Sequence, residues 1–290
     1  MSQRVVVVGA RGQLGRQLVD AFAAAGNAVV SVNRSQLDLA DPAAGEVIAS
    51  LEPEIVVNAA AWTDVDGCAR SPERAMLLNG VAPGRMAGGA ARAGALFVQI
   101  STNEVFDGSA SAPYAEDGLP SPINPYGASK LAGERAVAEA APRHLIVRTA
   151  WLFGPGGTNF VTKILAAADR ALAGDTPLGV VADEWGNPTW TPALAAAIVG
   201  VTDAHVPGSI VHLAGSPAAS RLEWATVALE GRREVRLEPT SRSAFPRASR
   251  VPPRAVLRPT PGLPRLTWGE ETRAYVASLV EAASSAGPAR

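Results

Sequence analysis

Arg4-Val5-Val6-Val7-Val8-Gly9-Ala10-Arg11-Gly12-Gln13-Leu14-Gly15 carries the chain from a β-branched run straight into spaced glycines. No polar residue alternates with the valines, the pattern of a strand covered on both faces in a parallel sheet. The glycines predict a tight turn that opens a helix. Gly9 permits the turn, Gly12 lets the backbone approach a pyrophosphate, and Gly15 lets the helix pack against the strand. The free N–H groups of the helix start then meet the anion, with Arg11, Gln13 and Leu14 beside it. An ordinary strand–turn–helix corner would show the same glycines, so the triplet alone names no ligand.

The same alternation continues outward. Ile55–Asn58, residues 96–101 and residues 144–148 read as strands, with helical patterns at about 72–93 and 126–141. The expected fold class is α/β: a Rossmann-type doubly wound parallel sheet with right-handed crossovers and a smaller C-terminal α/β substrate-binding domain. Residues 1–155 form the dinucleotide-binding part, joined by a helix and a strand from about 188–214. Residues 156–290 are mainly the substrate-binding part, with helices around 159–172 and 268–284, a strand near 179–181, and a Pro- and Arg-rich irregular stretch over 239–265. A small-residue tail after the last helix is expected to be mobile.

Composition excludes several classes of function. Twenty-six basic and 27 acidic residues leave a net charge of −1 over 290 residues, so neither nucleic acid nor a membrane is an expected partner. One cysteine, Cys68, excludes internal disulfides and a cysteine metal cluster. The start Met-Ser-Gln-Arg lacks an apolar signal segment, which implies a cytoplasmic protein.

Residues at the end of the second strand select the coenzyme. Where an NAD-selective protein places Asp or Glu to hold the ribose hydroxyls, this chain has Asn33-Arg34. A guanidinium pairs with a 2′-phosphate, so NADPH is the expected coenzyme and NADH the alternative. Asp38-Leu39 is placed either to reach the adenine or to cap a helix starting near Pro42. Asp41, directly before that proline, is the better cap.

Chemistry points to Tyr126-Gly-Ala-Ser-Lys130, which begins 24 residues after Thr102. A phenol and an ammonium four residues apart share one helix face, the spacing at which the lysine charge acts on the tyrosine proton. That arrangement suits proton transfer beside a hydride carrier. Three polar loops, after residues 58, 101 and 149, would meet it at the carboxyl edge of the sheet.

Taken together these motifs resemble the dTDP-4-dehydrorhamnose reductases, the reductase branch of the extended short-chain dehydrogenases. The resemblance rests on the G-x-x-G-x-x-G triplet with Gln13, Asn58-Ala-Ala-Ala with Thr63-x-Val65-Asp66, Ser101-Thr102 with Val105-Phe-Asp-Gly108, and Tyr126-x-x-x-Lys130. Arg148-Thr-x-Trp151, Asn159-Phe160 and Gly186-x-Pro188-Thr189 extend it over nearly the whole chain. It implies that Thr102, Tyr126 and Lys130 are catalytic, with Lys130 also holding the nicotinamide ribose. Asn58, Ala59 and Ala60 would lie along the coenzyme, and Thr63, Val65 and Trp151 would line a sugar pocket. Asn159 would face the substrate or cap a helix, and Arg250 and Arg254 would take a diphosphate. The implied reaction is hydride addition to the C4 ketone of a nucleotide-linked 4-keto-6-deoxyhexose, with Tyr126 as general acid and a dTDP-linked sugar as partner.

The chain departs from that family at Asn103-Glu104, where Asp and Tyr are usual, so both residues are candidate substrate contacts. A dehydratase or epimerase using Glu104 is the enzymatic alternative, and a non-catalytic NADP-binding regulatory subunit the other. Gln17 stands where the family's metal-linked dimer has an acid. No metal site is expected, and the expected assembly is a monomer or weak homodimer.

Overall fold

A computed structural model describes residues 2–204 and 208–285 of the chain. The first half alternates strictly: β1 (Arg4–Val8), α1 (Gln13–Ala24), β2 (Ala28–Val32), α2 (Ala44–Ser50) and β3 (Ile55–Asn58). A helical run follows as α3 (Val65–Arg70), α4 (Pro72–Ala75), a π-type segment over Met76–Val81 and α5 (Ala82–Arg92). The chain then enters β4 (Leu96–Thr102), α6 (Pro125–Ala140) and β5 (His144–Thr149). Beyond these lie β6 (Leu152–Phe153), α7 (Phe160–Ala173), β7 (Leu178–Val181), β8 (Trp185–Gly186), β9 (Thr189–Trp190) and α8 (Thr191–Ala204). The last elements are β10 (Ser209–His212), β11 (Ala219–Ser220), α9 (Arg221–Ala228), β12 (Leu237–Thr240) and α10 (Gly269–Ser285).

Six strands in the order β10-β5-β4-β3-β1-β2 form one sheet, and every pairing in it is parallel. The direction of winding reverses between β1 and β3, where an open α/β sheet leaves a crevice at its carboxyl edge. Val5, Val6 and Val7 have no exposed surface, in keeping with the expected doubly covered strand. Val5 and Val7 pack with Leu14, Leu18 and Phe22 of α1, whereas Val6 and Val8 pack with Ile48 and Met86 on the other face. Each such burial stabilises the fold by about 1.5–3 kcal/mol relative to an exposed side chain.

The sixth strand comes from far along the chain, since β10 pairs with β5. Leu194, Ala195 and Ile198 of α8 share one core with Leu14, Leu18 and Phe22 of α1. A separate core, built from Phe153, Val161, Leu165, Trp224 and Tyr275, holds α7, α9 and α10 together.

Local chemistry corrects several expectations. α2 starts at Ala44 rather than near Pro42, and Asp41 instead closes a turn by accepting from the Ala43 N–H at 2.8 Å. Asp38 does the same one turn earlier, accepting from Ala40 at 3.0 Å. The helix expected over 72–93 carries a π-type segment in its middle. Two short helices, α3 and α9, were not anticipated. The segment after residue 240 is mostly irregular, as expected, and the tail assigned to mobility begins beyond the described residues. Among the described residues no helix is long and apolar enough to cross a membrane.

Candidate active site

Two adjoining cavities lie along the carboxyl edge of the sheet. The first, of about 680 Å³, is lined by Gly9, Arg11, Gly12, Asn33, Arg34, Asp38, Leu39, Ala59, Ala60 and Trp62 among others. The second, of about 460 Å³, is lined by Gln13, Leu14, Thr63, Val65, Thr102, Asn103, Glu104, Tyr126, Lys130 and Trp151 among others. Gly12, Ala59, Ala60 and Ala61 line both, so the two spaces are continuous.

The first cavity fits a dinucleotide. Gly9 has a φ of +80°, open to glycine alone at low strain, and a Cβ there would lie 2.8 Å from the Ala60 nitrogen. A Cβ on Gly15 would stand 2.1 Å from the Gly9 carbonyl oxygen, so only glycine lets α1 close on the turn. No side chain caps α1, which leaves its first-turn N–H groups for an anion. Arg34 is exposed at the rim with no ion-pair partner among the described residues, in position to meet a 2′-phosphate. Asn33 folds its own loop instead: its Oδ1 accepts from the Ser35 N–H at 3.0 Å and the Ser35 hydroxyl at 2.6 Å.

Asn58 is fully buried and lines neither cavity. Its amide donates to Gln99 at 2.8 Å and its Oδ1 accepts from the Ala60 N–H at 3.1 Å. Its part is therefore to shape the Ala59-Ala60 wall that the coenzyme would meet. Gln13 donates through Nε2 to the Gly154 carbonyl at 2.7 Å, tying α1 to the loop that follows β6.

The expected trio converges in the second cavity. Thr102 ends β4, and Tyr126 and Lys130 project from the first turns of α6. The Thr102 hydroxyl donates to Asn103 Oδ1 at 3.3 Å, accepts from the Glu104 N–H at 3.2 Å and stands close to the Tyr126 phenol. Burial raises the phenol pKa well above its ordinary value, with Glu104 and Cys68 adding to the rise and the neighbouring Thr102 hydroxyl opposing it. The Lys130 Nζ donates to the Ile100 carbonyl at 2.6 Å. Burial brings its pKa down to about 8, while Glu134 pulls the other way. The phenol is thus a loaded proton donor at neutral pH.

Glu134 belongs to a network beneath this trio. Its carboxylate takes two hydrogen bonds from Arg148, at 3.0 and 2.8 Å, and one from the Ser101 hydroxyl at 2.5 Å. Arg148 is 1% exposed and Glu134 4%, so the pair is sealed from solvent. Asn124, the N-cap of α6, accepts from the Gly127 N–H at 2.7 Å and donates to both Glu104 and the Arg250 carbonyl. An Asn before Pro125 at the first helical position was a readable signal for that cap. Asn79, in the π-type segment, clamps the Trp62 backbone through both its amide atoms and also reaches Ser129.

Trp151 lines the cavity floor with a left-handed backbone, φ +46°, rare for a bulky side chain. The Arg221 guanidinium lies 3.5 Å from its ring centroid and is itself held by Glu184 at 2.9 Å. Sequence reasoning missed Arg221, which only the tertiary fold brings to the site. Asn103 lines the cavity, but its amide donates to the Ala255 carbonyl at 2.8 Å.

Three expected substrate residues lie outside the cavity lining. Asn159 caps α7, accepting from Val161 and Thr162, and donates to Gly154 and Tyr275. Arg254 donates to the Ser111 carbonyl and lies over Trp185. Arg250 is exposed and contributes its backbone carbonyl to Asn124. The guanidinium that acts on Glu104 from this segment is that of Arg247, which also pairs with Asp66 at 3.3 Å.

Residues 3–284 match the family model described as RmlD substrate binding domain. The chain belongs to the dTDP-4-dehydrorhamnose reductase family. It is 38% identical over 297 residues to the dTDP-4-dehydrorhamnose reductase of Mycolicibacterium smegmatis, covering 99% of this chain and 89% of that one. A dTDP-4-dehydrorhamnose reductase crystal structure from Clostridium acetobutylicum superposes with a TM-score of 0.89 at 31% identity, over 96% of this chain and 99% of that one. The Bacillus anthracis dTDP-4-dehydrorhamnose reductase, crystallised in complex with NADP, gives 0.88 at 29% identity, over 96% and 100%. The family is one of oxidoreductases with a Rossmann-like parallel sheet, and the sheet, glycine turn and Arg34 rim described above fit it.

Proposed function

We propose that this protein is an NADPH-dependent 4-ketoreductase acting on a dTDP-linked 4-keto-6-deoxyhexose. The observation that carries this reading is the convergence of Thr102, Tyr126 and Lys130 in a cavity continuous with the glycine-lined one. The coenzyme, when bound, supplies the hydride. Gly9, Gly12 and the start of α1 would hold its pyrophosphate, and Arg34 its 2′-phosphate.

Negative charge then grows on the ketone oxygen. Tyr126 delivers its proton to that oxygen as general acid, and Thr102 adds a hydrogen bond to the same atom. Lys130, charged below about pH 8, would orient the nicotinamide ribose. Trp151, Thr63 and Val65 would enclose the sugar and exclude water.

The experiment is NADPH oxidation with a dTDP-4-keto-6-deoxyhexose, comparing wild type with Tyr126→Phe. Turnover is expected, with kcat lowered roughly 10²–10⁴-fold in the variant. Coenzyme binding without any turnover by the wild type would refute the reading and favour a regulatory subunit.

A further inference from the structure

The proton transfer proposed above leaves one acidic side chain of the cavity without a part. Glu104 sits two residues after Thr102 in a short helical turn, and its backbone N–H donates to the Thr102 hydroxyl at 3.2 Å. Its carboxyl shares the cavity lining with Thr102, Tyr126 and Trp151. Asn124 holds one oxygen, Oε2, at 2.7 Å. The other oxygen has no protein partner among the described residues, although the surrounding charges are plentiful. Arg247 and Arg221 attract the carboxylate, Glu184 repels it, and Tyr126 and Cys68 face it. Taking a carboxyl group out of water disfavours its charge, and the pKa of Glu104 is raised by that burial. A carboxyl held in place on one oxygen and open on the other, in a cavity, is built to receive a ligand donor.

The chemistry of the proposed substrate class says which donor. In a 4-keto-6-deoxyhexose the reacting carbon has two neighbours. One, C5, carries the methyl group and the ring oxygen. The other, C3, carries a hydroxyl, the only one on a carbon bonded to the ketone carbon. Tyr126 and Thr102 would both engage the ketone oxygen, and Glu104 stands beside them on the same wall.

We infer that Glu104 is a specificity-determining residue that accepts a hydrogen bond from the C3 hydroxyl and so selects sugars that carry one. The inference rests on the ketoreductase reading for the orientation of the sugar. Its neighbour Asn124 caps α6, so the open oxygen is positioned by the same helix that carries Tyr126. A purely structural Glu104 would serve only to hold Asn124, and would treat sugars with and without the hydroxyl alike.

That difference is the test. Binding of dTDP-4-keto-6-deoxyhexose and of its 3-deoxy counterpart to the NADP⁺-loaded protein is measured by calorimetry, without turnover, for wild type and Glu104→Met. Wild type is expected to bind the 3-hydroxy sugar about 10–100-fold more tightly, the usual worth of a hydrogen bond to a charged group. In Glu104→Met the ratio falls to near one, and the affinity for the 3-deoxy sugar stays within about threefold of wild type. Glu104→Gln keeps an oxygen for Asn124 and covers the case of a methionine variant that does not fold; its ratio moves in the same direction. Equal affinities in the wild type, or a variant that weakens both sugars by one common factor, would overturn the inference. Selective binding with no NADPH oxidation would strike the ketoreductase reading and leave the role of Glu104 standing.

Discussion

Replacing Glu134 by Gln probes the foundation of the site more sharply than any change within it. The substitution keeps shape and volume but removes the charge opposite Arg148, whose guanidinium has no other carboxylate within ion-pair distance among the described residues. What remains to Arg148 is one amide oxygen of the glutamine, the Glu116 carbonyl at 3.3 Å and the face of Phe106, with the ring centroid 5.1 Å away. Both partners are almost wholly buried, so solvent does not compensate. Breaking such a pair from one side is expected to lower stability by about 3–5 kcal/mol, a large part of the roughly 5–15 kcal/mol of a typical domain. With a urea slope of about 3 kcal/mol/M, the midpoint should fall by about 1–2 M. The double variant Glu134→Leu/Arg148→Met, which removes both charges, should recover most of the loss. Urea titration of all three proteins, followed by tryptophan fluorescence, makes the comparison. A fall of less than about 0.3 M in Glu134→Gln, or a double variant less stable than Glu134→Gln, would show that the pair is not sealed as described.

Other consequences follow from the same geometry. Lys130 is charged below about pH 8, so kcat/KM for NADPH should fall as pH rises through that value, and Lys130→Met should be slow with no such limb. Stability of the coenzyme-free protein should move oppositely. The unfolded lysine, with a pKa of 10.5, keeps its proton over the interval above about 8 in which the folded one has lost it, so the folded state gains as pH rises there. His212 is held neutral by burial and by the nearby Arg148, its pKa lowered from 6.5 to about 4. Below 6.5 the unfolded chain takes up a proton that the folded chain refuses, so stability present at neutral pH is lost as pH falls toward 4, by roughly 3 kcal/mol. His212→Phe should flatten that part of a denaturation-midpoint profile, and an unchanged acid limb would contradict the assignment. Arg34→Ala should lower kcat/KM for NADPH about 10–100-fold and leave NADH within about threefold, read from initial rates with each coenzyme.

Where local sequence determines local structure, the chain was readable. The valine run and the glycines that follow it announce β1 and α1 because the required φ of Gly9 and the close approach at Gly15 admit no other residue. Helices α6 and α7 were placed to within about two residues, since Asn124 with Pro125 and Asn159 mark their starts, and α8 falls in the span expected for a helix and a strand. α9 was missed although Ser220 and Glu223 form a capping box, because its few turns show little periodicity. The two-residue strands β6, β8, β9 and β11 have no local signature, and arise only when distant segments meet. The arginines show the same limit. The resemblance implied a diphosphate at Arg250 and Arg254, yet the arginines whose charge reaches Glu104 are Arg247 and Arg221, because the path of an irregular segment is set by contacts such as Ser249 to Asp66. Helical spacing put Lys130 beside Tyr126 but gave no sign of the Ile100 carbonyl that its ammonium meets.

One amide joins the two halves of the cavity. The side chain of Gln13 bridges residues 141 apart in sequence, from the glycine corner to the Gly154 carbonyl, three residues beyond Trp151. This hydrogen bond links the glycine turn to the stretch that carries Trp151.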